Sequence, residues 1–187
     1  MGIAITELEN CTLATIRRDQ PCSAYEVRQV FARSSTPNWS GSTGAIYPVI
    51  KRLLGRGLIR VEPQAGDRRA RQNLTVTDEG EQAVRAWVTT IEPWASHATP
   101  DPIRTRVSYL GQLASNAQRI AFVKHAYAAT ERTLKDLRHE VDALKAGPSP
   151  EFLAGLGALR QLEARLVWLR EAASLYEAAE DSNGAAS

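Results

Sequence analysis

The side chains of this 187-residue chain that can do chemistry are either scattered or gathered into one stretch. Cys11 and Cys22 lack the CxxC spacing and neighbouring histidines of a zinc or dithiol site, and His97, His125 and His139 stand too far apart to gather round a metal. Thiols so placed point to a reduced, cytoplasmic protein, with oxidant sensing as their lesser use. No Ser/His/Asp set, phosphate-cradling glycine loop or pair of acids on one element occurs, so the residues speak against an enzyme and imply neither metal nor cofactor. The cations are different. Lys51, Arg52, Arg56, Arg60, Arg68, Arg69 and Arg71 stand against only Glu62 and Asp67, a net +5 in a chain that carries +2 overall, so the remainder is at −3. Phosphate neutralisation is the chemistry that such a local excess fits. A solvated helix face followed by an exposed turn is the bland use of the same charges.

The elements that must position these cations follow from periodicity and punctuation. Apolar residues Ile5, Leu8, Leu13 and Ile16 recur at helical spacing behind a capping box of Thr6 and Glu9, and a second box, Ser23 with Glu26, opens a helix to about Arg33. A third helix carries Ile46, Val49, Ile50, Leu53 and Leu54 and ends at Gly55 and Gly57, with Pro48 demanding either a late start or a distorted first turn. Leu58–Pro63 and Arg71–Thr77 read as a β-hairpin with a basic tip, after which Thr77 opens a helix that stops before Pro93. The order helix, helix, helix, hairpin is that of a winged helix-turn-helix, in which the third helix enters a major groove and the wing follows the neighbouring backbone.

The segment 93–102, with three prolines and few charges, divides the chain into a 1–92 DNA-binding domain and a 103–180 helical domain, with 181–187 as a disordered tail. In the second half Val123, Tyr127, Thr130, Leu134, Leu137, Val141 and Leu144 alternate four and three apart, as do Leu159, Leu162, Leu166, Leu169, Ala173 and Tyr176. Two such helices offer more apolar surface than one hairpin hides, so a coiled-coil-like homodimer is expected. The fold class is thus mainly α with a small β-hairpin wing, and no stretch is apolar enough for a membrane span.

At residue level the chain resembles the PadR family of transcriptional regulators. Pro21-Cys22-Ser23-Ala24-Tyr25-Glu26-Val27 is similar to the family's Pro-Met-His-Gly-Tyr-Glu-Leu segment. Residues 39–59, with Ile46-Tyr47-Pro48, are similar to its Gly-x-Ile-Tyr-Pro-x-Leu-x-Arg-Leu core, and Leu74-Thr75-Val76-Thr77-Asp78-Glu79-Gly80 to the end of its wing. The resemblance covers about residues 5–92; the helical half, with Trp168-Leu169, is similar to a longer-tailed, AphA-type subfamily. Ser23, Ala24 and Leu74 depart from the usual His, Gly and Tyr.

The resemblance implies a ligand-responsive repressor bound as a homodimer to a pseudo-palindromic operator in double-stranded DNA. It places Tyr25, Ser42, Thr43, Tyr47, Lys51, Arg52, Arg68, Arg69 and Arg71 on the DNA, although Arg52 can equally pack on the sheet or pair with Glu62. Leu8, Leu134, Leu137, Val141, Leu159, Leu162, Leu166 and Leu169 fall at the dimer interface. A small aromatic or cationic effector is implied near that interface, with Trp87, Trp94, Tyr109 and Phe122 as its lining or as hinge-packing core. The competing readings are a MarR-like regulator and a helical adaptor whose winged helix binds protein.

Overall fold

The computed structural model of the chain describes residues 5–34, 39, 41–63, 72–98 and 100–184. It divides into two compact units, residues 1–97 and 98–187.

In the first unit, α1 (Glu7–Asp19) and α2 (Ala24–Ala32) each begin on the expected capping box. The Thr6 amide donates to Glu9 Oε2 at 2.9 Å while Glu9's amide donates to Thr6 Oγ1, and Ser23 and Glu26 repeat the exchange. A 3₁₀ turn (Thr43–Ala45) leads into α3 (Ile46–Gly55), which places Pro48 inside the first helical turn, where no intrahelical amide bond is forfeited. Gly57, at φ +71°, ends α3: its amide reaches the Leu54 carbonyl and that of Leu58 reaches Leu53, a Schellman turn that aims the chain into the sheet. Strands β1 (Ile59–Pro63) and β2 (Gln72–Val76) pair antiparallel with Ile59 opposite Val76 and Val61 opposite Leu74. Helix α4 (Asp78–Thr89) starts on Thr77 and carries Asp78, Glu79 and Glu81 in its first turn, where the helix dipole favours acids. A Cβ on Gly80 would stand 2.1 Å from the Leu58 carbonyl oxygen, so this helix approaches β1 as closely as glycine permits. Helix α4 ends two residues before Ile91. Val84 is buried and Trp87 half-buried, but Val88 and Ile91 face solvent.

The second unit holds more than two long helices. Asp101 caps a short helix, α5 (Pro102–Val107), with proline at its first position, and a 3₁₀ turn (Leu110–Gln112) follows. Helix α6 (Asn116–Asp142) begins on a capping box of Ser115 and Gln118, seven residues before the first seam residue, Val123. Helix α7 (Pro150–Gly184) packs against it. It continues to Gly184, so residues 181–184 are helical and not part of a disordered tail, because an established helix extends at little cost. The tail's last three residues lie outside the described ones.

The seams expected between subunits face each other across this hairpin. Leu134, Val141 and Leu159 form one cluster with Leu137, Phe152, Leu162 and Leu166 around them, and Val123, Ala126 and Leu169 form another with Leu110. Leu8 packs against the core of the first unit. Leu134, Val141, Leu159 and Leu169 are therefore covered by their own chain and offer no surface to another copy. The four-and-three spacing is the same for an intrachain seam as for an interchain one, so spacing cannot tell them apart. What α7 exposes are Leu153, Val167 and Leu175.

Candidate nucleic-acid interface

Helix α3 sorts its side chains cleanly. Ile46, Val49, Ile50 and Leu53 enter the core of the first unit, leaving Tyr47, Pro48, Lys51, Arg52 and Gly55 on the opposite, exposed face. Tyr47 is 50% exposed and Tyr25, in the first turn of α2, 59%, so neither ring is a core residue. Ser42 and Thr43, half-buried, flank the start of the 3₁₀ turn, and the Ser42 carbonyl accepts from the Ala45 amide at 2.9 Å. Arg68, Arg69 and Arg71 lie outside the described residues.

The cations of this face differ in their freedom. Lys51 is exposed and has no ion-pair partner among the described residues. Arg60 Nε donates to Glu62 Oε1 at 2.9 Å, and Thr75 Oγ1 donates to the same oxygen. The Arg60 hydrogen bond leads the influences that hold the Glu62 carboxyl below its ordinary pKa. Arg52 pairs neither with Glu62 nor with the sheet: its Nε donates at 2.6 Å to Oε1 of Glu9, a buried side chain on α1. Arg56 Nη1 lies 3.9 Å from the other oxygen of Glu9. Burial pushes the Glu9 carboxyl up, but the Arg52 hydrogen bond, the Thr6 amide and hydroxyl and the Arg52 charge outweigh it, and its pKa lies below the usual value. Glu9 was visible in the sequence only as the acid of a capping box. Its second role depends on the α1–α3 packing, which no local pattern shows.

The wing is tied to the rest of the unit through backbone groups. Cys22 and Leu74 exchange amide-to-carbonyl bonds, and the Val76 amide donates to Gln20 Oε1 at 2.8 Å. Burial raises the Cys11 thiol to about 12 and the Cys22 thiol to about 11, so both stay protonated near neutrality.

The four aromatic residues expected around an effector fall in two different units, Trp87 and Trp94 in the first, Tyr109 and Phe122 in the second. Trp87 Nε1 donates to Glu7 Oε2 at 3.0 Å and so fastens α4 to α1. Phe122 packs with the Val123–Leu169 cluster, whereas Trp94 and Tyr109 expose their rings. None of the four lines the groove of about 410 Å³ formed by Val123, Lys124, Tyr127, Leu169, Arg170 and neighbours, nor that of about 290 Å³ beside Cys11, Phe31 and Trp39. No group of three metal-ligating side chains stands together among the described residues. No helix among them is long and apolar enough to cross a membrane.

Residues 12–86 match the transcriptional regulator PadR-like family. Among solved structures, Bacillus subtilis PadR in complex with operator DNA aligns at a TM-score of 0.77 and 22% identity, over 91% of this chain and 99% of its own. The same regulator in complex with p-coumaric acid aligns at 0.73 and 21% identity, over 95% and 99%. The Vibrio cholerae virulence activator AphA aligns at 0.64 and 13% identity, over 94% and 99%. At these identities the structures establish the fold. No curated protein matches the chain.

Proposed function

We propose that this chain, whose residues 12–86 match the transcriptional regulator PadR-like family, is a sequence-specific repressor that sits as a homodimer on a pseudo-palindromic operator. The observation that carries this reading is the face of α3: Tyr47, Lys51 and Arg52 stand exposed above a fully buried apolar row, the arrangement of a helix that reads a major groove. Ser42 and Thr43 just ahead of α3, and the exposed Tyr25 in the first turn of α2, supply hydroxyl groups for phosphate, and Arg68, Arg69 and Arg71, between the two strands in sequence, add positive charge. Pairing is supported by Leu153, Val167 and Leu175, large apolar side chains left uncovered along α7. A two-fold pair would set two α3 helices on half-sites about 34 to 36 Å apart, or a multiple of that.

The effector class to try first is an aromatic acid, because the Bacillus subtilis relative was solved with p-coumaric acid.

The test is a mobility shift of the full chain on the DNA upstream of its own gene at two salt concentrations. A DNA reader weakens steeply as salt rises, with a log–log slope of roughly −0.9 per phosphate neutralised. A chain that shifts no duplex at low salt, but captures a protein through α3, would be the adaptor and not the regulator.

A further inference from the structure

Glu9 is an odd residue to find in the core. Its side chain is 3% exposed, and a buried carboxylate is costly unless paired and hydrogen-bonded. Both oxygens are engaged, Oε2 by the Thr6 amide at 2.9 Å and Oε1 by Arg52 Nε at 2.6 Å. The α1 cap therefore uses one oxygen, and the other holds a side chain on α3.

The Arg52 end of that pair is the informative one. Its side chain is 52% exposed although its Nε is fixed on a buried acid. Arg52 thus belongs to the exposed α3 face that also carries Tyr47 and Lys51. A phosphate contact tolerates a mobile cation, and Lys51 beside it supplies one. A guanine edge does not: its O6 and N7 accept a planar fork in one orientation, and a guanidinium locked at Nε keeps its outer donors in such a fork.

We propose that Glu9 is a positioning residue for sequence readout, holding Arg52 so that its Nη edge meets the acceptor pair of a guanine in the major groove. The proposal rests on the DNA-binding reading above and goes beyond it by assigning discrimination to a residue that never touches DNA. Removing the Glu9 charge frees Arg52 without removing it. Discrimination then falls while general attraction to DNA holds or rises.

The experiment begins with a duplex selected by the full chain from a randomised pool. Affinities for that duplex and for a scrambled one of equal composition are measured by fluorescence anisotropy. Glu9→Gln is expected to lower their ratio at least about fivefold, the smaller end of what one bidentate base contact contributes, and to leave affinity for the scrambled duplex equal or higher. In an Arg52→Ala background the same change should lower the ratio no further. Thr6→Ala, which damages the cap of α1 but not the Arg52 contact, should leave the ratio as it is. Should Glu9→Gln not fold, Arg52→Lys keeps the charge but loses the fork, and it should lower the ratio equally.

An unchanged ratio in Glu9→Gln or Arg52→Lys overturns the proposal, as does a Glu9→Gln loss that persists in the Arg52→Ala background or is matched by Thr6→Ala. A wild-type chain that selects no preferred duplex refutes the DNA-binding reading itself, and is told apart from these outcomes by failing before any variant is made.

Discussion

In the first unit fourteen apolar residues, twelve from four helices and two strands and two from the connections between them, close into one core, whereas in the second seven buried residues form two short clusters, six of them on a pair of helices. Of the described side chains on the 35-residue α7, only Leu159 and Leu169 are buried. In the first unit α1 packs against α2, α3, α4 and β2 around that core. The second is a hairpin whose helices cover each other along one stripe and leave Leu153, Val167 and Leu175 outside. One architecture fixes side chains in place; the other leaves apolar surface uncovered.

Leu13→Ala tests this contrast most harshly. Leu13 is wholly buried on α1, and its truncation is expected to destabilise the first unit by about 2–5 kcal/mol, while Val167→Ala on α7 should change the stability of the isolated chain by less than about 0.5 kcal/mol. Urea denaturation followed by circular dichroism measures both, and equal losses would erase the distinction. Next in size, Lys51→Ala with Arg52→Ala should weaken binding to the selected duplex at least about thirtyfold, two lost contacts of order 1–3 kcal/mol each, without altering the sedimentation coefficient. Leu175→Glu should do the reverse: about a tenfold or larger rise in the dissociation constant for self-association by analytical ultracentrifugation, with helicity intact. Unaltered association would remove this face of α7 from the interface.

The smallest effect sits at Asp101. Its Oδ1 accepts the amides of Ile103 and Arg104, and its Oδ2 accepts Arg165 Nε at 2.8 Å, tying the start of α5 to α7. Burial pushes its carboxyl up, but the two amides and Arg165 outweigh that and hold the pKa below its ordinary value. A depressed folded pKa means stability that is present above the unfolded value, near 4, and is lost as pH falls through the folded one. Asp101→Asn should therefore cost the second unit about 1–2 kcal/mol at pH 7, and the difference should shrink toward zero below about pH 4. A pH-independent difference would show that the charge of Asp101 contributes nothing.

Local signals in the sequence were sufficient wherever one residue satisfies a backbone group near it. Thr6, Ser23 and Thr77 each mark a helix start within a residue, and Gly57 marks the end of α3. Ser115 and Gln118 carry the same mark, and the beginning of α6 was legible there as well as in the later leucines. The short α5 was hidden because its prolines read as a linker. Two other features were not local. The heptads spell a seam without saying whose helix lies opposite, and the charge count over residues 51–71 omits Glu9, which reaches into that window from α1 across 43 positions of sequence. The exposed residues of α3 were legible as a set; the buried acid that holds Arg52 was not.

The bonds that join the wing to the turn between α1 and α2 have a mechanical consequence. Cys22 and Leu74 are linked in both directions, at 3.3 and 2.7 Å, Gln20 grips the Val76 amide, and Thr77 Oγ1 donates to the Gly57 carbonyl at 2.7 Å. The base of the wing is thus a fixed fin and not a flap, held at a constant angle to α3. Among the described residues these bonds leave no joint between the base of the wing and the end of α3, so a displacement of one carries the other with it.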